Sequence, residues 1–191
     1  MVTRNSTRTK LLDAADELLF TSGVVNTPVD RILERASVSP ATLYRAYGSK
    51  EGLVAAALDR RHGEWLAVWD DAVAQARDDR SRLLAVFDAL ETFQQRPGHA
   101  RWCAFLGTAA EYADPPPVLA AAIHRETESM RHRLAELADP LVGARSAALA
   151  EALTLLVSGR LAMRLRGDRP AAAGLARAIA ETLIDRPDRV C

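Results

Sequence analysis

The sequence predicts an all-α protein, and three observations carry the prediction. Apolar residues recur at helical spacing along nearly all of its 191 residues, and no segment sustains strand alternation. Helix starts and stops are written into Thr27-Pro28, Ser39-Pro40, Gly23 and Gly48. The mixture, 49% hydrophobic and 26% charged with a formal net charge of zero, is that of an ordinary globular chain.

Nine helices follow in order. The first spans about 6–22, with Leu11, Ala14, Ala15 and Leu18 on one stripe and Gly23 as its stop. The second spans about 28–36. Thr27 is placed to cap its free amides, Pro28 suits the first helical position, and Asp30 stands where a capping-box acid would. Three residues, Ser37 to Ser39, separate it from a third helix over 40–47. There Ser39 is the cap, Pro40 the first helical residue, and Val38 can staple onto Leu43. Gly48 ends that helix and Ser49 caps a long fourth one, reaching about residue 77. Five more are expected near 80–95, 101–112, 117–138, 144–166 and 171–186, punctuated by Pro97-Gly98, Asp114-Pro115-Pro116-Pro117, Asp139-Pro140 and Asp168-Arg169-Pro170.

Several functions are disfavoured. The two cysteines, Cys103 and Cys191, lie too far apart for a disulfide framework or a zinc pattern, and suit a reducing compartment. The start, MVTRNSTRTK, is polar and carries no secretory signal. The most apolar run, about 146–163, is interrupted by Glu151 and Arg160 and is short for a membrane span. The expectation is a cytoplasmic protein with no membrane partner, no metal and no cofactor. HExxH, GxSxG and a phosphate-binding glycine loop are all missing, so catalysis has no visible machinery.

Two short helices joined by a three-residue turn have the spacing of a helix-turn-helix. Val38 and Leu43 can hold the second helix on the first, leaving Ala41, Thr42, Tyr44, Arg45 and Tyr47 facing outward. No carboxylate stands between Ser37 and Lys50, where one would repel DNA phosphates. Arg45 suits a guanine edge or a phosphate, and tyrosine hydroxyls suit phosphate oxygens. At Ser49-Lys50 a helix opening and an ammonium can converge on one phosphate. Residues 1–62 hold nine Lys or Arg against seven Asp or Glu, a weak basic bias. The same spacing also occurs in helical cores that bind protein, so an adaptor is the alternative reading, with an all-helical enzyme behind it.

Residues 8–55 resemble the DNA-binding domain of the TetR family of bacterial transcriptional regulators. The matching features are Ala15, Leu18, Leu19 and Gly23, then Thr27-Pro28-Val29, Ile32 and Ala36, then Val38 through Tyr44, and finally Tyr47-Gly48-Ser49-Lys50-Glu51-Gly52-Leu53. The resemblance implies a nine-helix TetR-like architecture, with a helix-turn-helix domain over 1–48 and a helical ligand-binding and dimerisation domain over 49–191. It implies phosphate or groove contacts at Thr27, Thr42, Tyr44 and Lys50; Ser39, Pro40, Ala41, Arg45 and Tyr47 complete the DNA-facing set. Two residues depart from the pattern, and one is Tyr47, where the family usually has phenylalanine or histidine. Ser37 stands where the family often has glycine, which predicts a strained or altered turn.

Trp102-Cys103-Ala104-Phe105-Leu106 and Ala110 through Pro115 are similar to a segment of one branch of these regulators. A small-molecule pocket is therefore expected among the bulky residues Trp65, Trp69, Phe87, Phe93, Trp102, Phe105, Tyr112 and Met130, with Met163 nearby. His124, Glu111 and Arg131 are the polar groups that would orient a ligand. The helix at 144–166 is apolar on most sides and must be covered on more than one face. Leu149, Leu153, Leu156 and Leu161 from it, with Leu175, Ile179 and Leu183 from the last helix, are the predicted dimer interface; filling the monomer core is the other possible role. The partners are thus double-stranded DNA with a palindromic site, a second copy of the chain and a small effector, and the family's habit predicts repression.

Overall fold

The computed structural model describes residues 2–96, 103–167 and 171–186. Among them, nine α-helices and one 3-10 turn make up the regular structure, with no strand. The helices are α1 (Val2–Ser22), α2 (Val29–Ala36), α3 (Pro40–Tyr47), α4 (Lys50–Gln75), α5 (Asp79–Gln94), α6 (Ala104–Glu111), α7 (Pro117–Val142), α8 (Ser146–Leu165) and α9 (Ala171–Asp185), the 3-10 turn being Gly143–Arg145. The chain forms two compact units, one from Met1–His62 and Ala100–His124, the other from Gly63–His99 and Arg125–Cys191.

The first unit closes on Leu11, Ala15, Leu19 and Phe20 of α1, which bury against Ile32 and Leu33 of α2, Leu43 of α3 and Leu53, Ala57 and Leu58 of α4. Phe105 of α6 and Leu119 and Ala122 of α7 join the same cluster. Helices of eight residues such as α2, α3 and α6 are too short to persist alone, so this shared core holds them. Arg60 reinforces it by binding Asp13 at 2.7 Å and Asp16 at 2.8 Å.

The helix ends follow local chemistry, with two departures from the sequence reading. Thr27 does not cap α2: Pro28 occupies the N-cap position, and no side chain bonds the first-turn amides. Thr27 is fully buried and donates its hydroxyl to the Gly23 carbonyl at 2.6 Å. Ser39 does hold the N-cap position of α3, but its hydroxyl meets that of Thr42 at 3.0 Å instead of a backbone amide. Ser49 caps α4 as predicted, its hydroxyl accepting the Gly52 amide at 3.0 Å. Gly52 is required there. A Cβ at that position would stand 2.1 Å from the Tyr47 carbonyl oxygen.

The second unit packs Trp65, Trp69, Leu83, Val86 and Phe87 against Leu134, Leu149, Leu153, Val157, Ala176, Ala180 and Ile184. Asp78 opens α5 with a full capping box, accepting the Ser81 amide at 2.7 Å while Ser81 accepts its amide at 3.1 Å. Helix α7 runs on through the predicted break at Asp139-Pro140 and stops at Val142. Pro140, two residues before the end of α7, removes a single ladder hydrogen bond, and Gly143, with φ +55°, ends the helix instead.

Candidate nucleic-acid interface

Helix α3 is held by Leu43, which is completely buried, while Val38 packs on the same core from just before the cap. With that side anchored, residues at helical spacing on the other side are exposed: Pro40, Ala41, Tyr44 and Arg45, preceded by Ser39. Tyr44 leaves 52% of its surface to solvent, a large value for an aromatic side chain without a partner to cover it. Thr42 is half-buried beside Ser39. The outward face is therefore apolar, hydroxylic and cationic, and it carries no acid.

Three other residues of the expected set are engaged within the protomer. Thr27 has no exposed surface, so its hydroxyl serves the α1–α2 turn. Tyr47 is half-buried and donates its hydroxyl to the Arg8 carbonyl at 3.3 Å. Burial pushes its phenol up from the ordinary value, with Arg8 and Arg60 opposing the shift. Lys50 donates its ammonium to the Val24 carbonyl at 2.5 Å. Burial lowers its pKa, against the pull of Glu51 and Glu111.

The sequence reading missed Arg8. Its guanidinium donates to the Ala46 carbonyl at 3.4 Å, at the C-terminal end of α3, and lies 5.9 Å from the centre of the Tyr47 ring. A cation at that end favours the helix dipole, and the exposed side chain adds positive charge beside the Tyr44–Arg45 face. A polar arginine on the first helix has no periodic or motif signal of its own; only the approach of α1 to α3 reveals it.

The residues expected to line a ligand pocket divide between the units. Trp65, Trp69, Phe87 and Met130 are buried in the second unit, where the Trp65 ring lies 5.5 Å from Trp69 and 5.7 Å from Phe93. Phe105 and Tyr112 belong to the core of the first unit, and His124 is exposed. Trp102 lies outside the described residues. Two of the expected polar groups are already engaged: Arg131 binds Glu128 and Glu151, each at 2.7 Å, and Glu111 accepts backbone amides of the α1–α2 turn. The indole N–H of Trp69 is buried and has no acceptor among the described residues. An open groove of about 340 Å³ in the second unit is lined by Val68, Asp71, Ala72, Gln75, Ser81 and Thr92, and by none of the expected aromatic residues. Among the described residues, no three His, Cys, Asp or Glu side chains are grouped to hold a metal.

The predicted dimer residues also divide. Leu149 and Leu153 are each 1% exposed, so their side chains are used up in the protomer's own core. Leu156, Leu161 and Leu183 are half-buried against it. Leu175 and Ile179 are exposed, and so are Leu155 and Met163, which share a face of α8 across Gly159.

Comparison with known proteins agrees with this geometry. The family described as bacterial regulatory proteins, tetR family, matches residues 11–57. The HTH-type transcriptional regulator BetI of Burkholderia cenocepacia is 30% identical over 162 residues, covering 82% of this chain and 80% of that protein. The uncharacterized HTH-type regulator YvkB of Bacillus subtilis is 43% identical over 54 residues, 28% of this chain and 29% of its own. Among solved structures, the TetR-family regulator SCO4454 of Streptomyces coelicolor superposes with a TM-score of 0.84 at 26% identity, covering 95% of both chains. Reduced NemR of E. coli shares the fold, with a TM-score of 0.78 at 18% identity over 92% of this chain and 96% of its own.

Proposed function

This chain belongs to the TetR family and is a helix-turn-helix transcriptional regulator, not an enzyme; from that premise we propose that it is a repressor that grips a palindromic operator as a homodimer and lets go when a small apolar or amphipathic ligand binds. Residues 1–48 act as the DNA-binding domain and 49–191 as the ligand and dimerisation domain. The observation that carries the reading is the face of α3, where Ala41, Tyr44 and Arg45 stand exposed on an anchored helix with no carboxylate beside them. Arg45 reads a base edge in the major groove, and Thr42, Tyr44 and Lys50 bind flanking phosphates. Two such helices, roughly 34–36 Å apart, meet successive turns of one DNA face.

A second copy is the natural cover for the apolar face of α8 and α9. The stretch Pro117–Arg164 holds a window of mean hydropathy 1.4, of which only 28% is buried within the chain. Leu155, Met163, Leu175 and Ile179 form the contact in this reading, and Gly159 lets the helices approach closely. The effector binds among Trp65, Trp69 and Phe93, where the unpartnered indole N–H offers a donor, and it shifts α4 between two states that differ in operator affinity.

The test is selection of bound duplexes from genomic fragments, followed by titration of the selected site. A palindromic site bound by two protomers is the expected result. Arg45→Ala should lose about 1–3 kcal/mol of discrimination at one base pair per half-site. Unchanged preference at every position would take base reading away from Arg45, and failure to enrich any duplex would overturn the operator itself.

A further inference from the structure

The α1–α2 turn leaves two consecutive amides, those of Val24 and Val25, with no acceptor of their own after Gly23 has closed α1 onto Leu19. Both are taken by a single side chain from far along the sequence. The Glu111 carboxylate, at the end of α6, accepts Val24 N–H at 3.0 Å and Val25 N–H at 2.7 Å. The same Val24 peptide is gripped on its other side, where its carbonyl accepts the Lys50 ammonium at 2.5 Å. Lys50 is the first residue of α4, two positions after Gly48 ends α3. A continuous chain of hydrogen bonds thus leads from Glu111 through one peptide to the amine beside the DNA-reading helix, all within one compact unit.

We infer that Glu111 is a positioning residue for DNA binding, which fixes the Val24 peptide and through it the ammonium of Lys50. An ammonium has three donors, so the bond to Val24 leaves two for a phosphate while removing the freedom of a four-carbon stem. The carboxylate is well matched to the turn: a charge-assisted pair of bonds to adjacent amides holds more strongly than neutral ones. Space is tight as well, since a Cβ on Gly23 would stand 3.2 Å from Glu111 Oε2. Position 111 lies outside the region 11–57 matched by the family. The inference rests on the operator-binding reading above.

The experiment uses the full chain as wild type, Glu111→Gln, Lys50→Met and the double variant. Amide exchange at Val24 and Val25 is followed relative to Leu58 in the core of the same unit, so general destabilisation registers at all three. Glu111→Gln should speed exchange at Val24 and Val25 by about tenfold relative to Leu58. On the selected duplex it should weaken binding by about tenfold and lower the salt slope by about one when Lys50 is present. In the Lys50→Met background the same change should cost less than about twofold, because a residue acting through Lys50 has nothing left to position. Equal losses in both backgrounds, or unchanged exchange at Val24 and Val25, would overturn the inference. If wild type itself binds no duplex, the operator reading fails and this inference falls with it, an outcome distinct from the other two.

Discussion

Side chains with similar chemistry separate sharply once their surroundings are counted. Tyr44 and Tyr47 lie three positions apart on one short helix, yet Tyr44 is exposed while Tyr47 turns its hydroxyl to the Arg8 carbonyl. Helical spacing told which residues face away from Leu43, but not which of them α1 would cover. Glu126 carries a similar lesson on α7. Burial raises its carboxyl from the ordinary 4.5 to about 7, with a hydrogen bond from Thr127 pulling the other way. The folded state then holds that proton more tightly than the unfolded chain does. This contribution to stability is complete below about 4.5 and is lost as pH rises through about 7. Urea denaturation between those limits should show stability falling with pH, and Glu126→Gln should flatten that part of the profile.

Among the elements, the turn between α2 and α3 is the most informative. Ser37 adopts φ 54° and ψ 49°, and it is the only residue other than glycine with positive φ among those described. The turn keeps a regular form: Val38 N–H reaches the Leu33 carbonyl and Ser37 N–H the Glu34 carbonyl, each at 3.1 Å, which closes a Schellman motif. The expected departure is therefore one of strain and not of shape. An L-residue in the left-handed region gives up about 1–2 kcal/mol, against about 0.5–1 kcal/mol of extra chain entropy lost by glycine. Ser37→Gly should stabilise the protein by up to about 1 kcal/mol, read from the denaturation midpoint, with operator affinity preserved. The Tyr47–Gly52 corner works in the opposite direction. There the carbonyl of one helix end fills the space a side chain would need, so no substitution at Gly52 fits without moving α3.

At the scale of the whole molecule, the proposed dimer separates core from interface. Leu175→Asp places a charge on the exposed face of α9 and should shift sedimentation from dimer to monomer, with operator affinity falling at least about tenfold. Leu149→Ala should instead cost about 2–5 kcal/mol of stability while the dimer persists, since that side chain is buried inside the protomer. Dimers that survived the first change and dissociated after the second would reverse the assignment. The fold class, the order of nine helices and the helix-turn-helix were legible in the sequence, because periodicity, caps and glycine stops act over a few residues and need no distant partner. The exposed Tyr44–Arg45 face was legible for the same reason. What tertiary structure decided were matters of contact between remote segments: Thr27 turned inward, Arg8 drawn to the end of α3, Leu149 and Leu153 assigned to the core, and Glu111 bound 87 residues away to the turn after α1. A side chain's chemistry is written in its own codon, but its free valences depend on which neighbours reach it first.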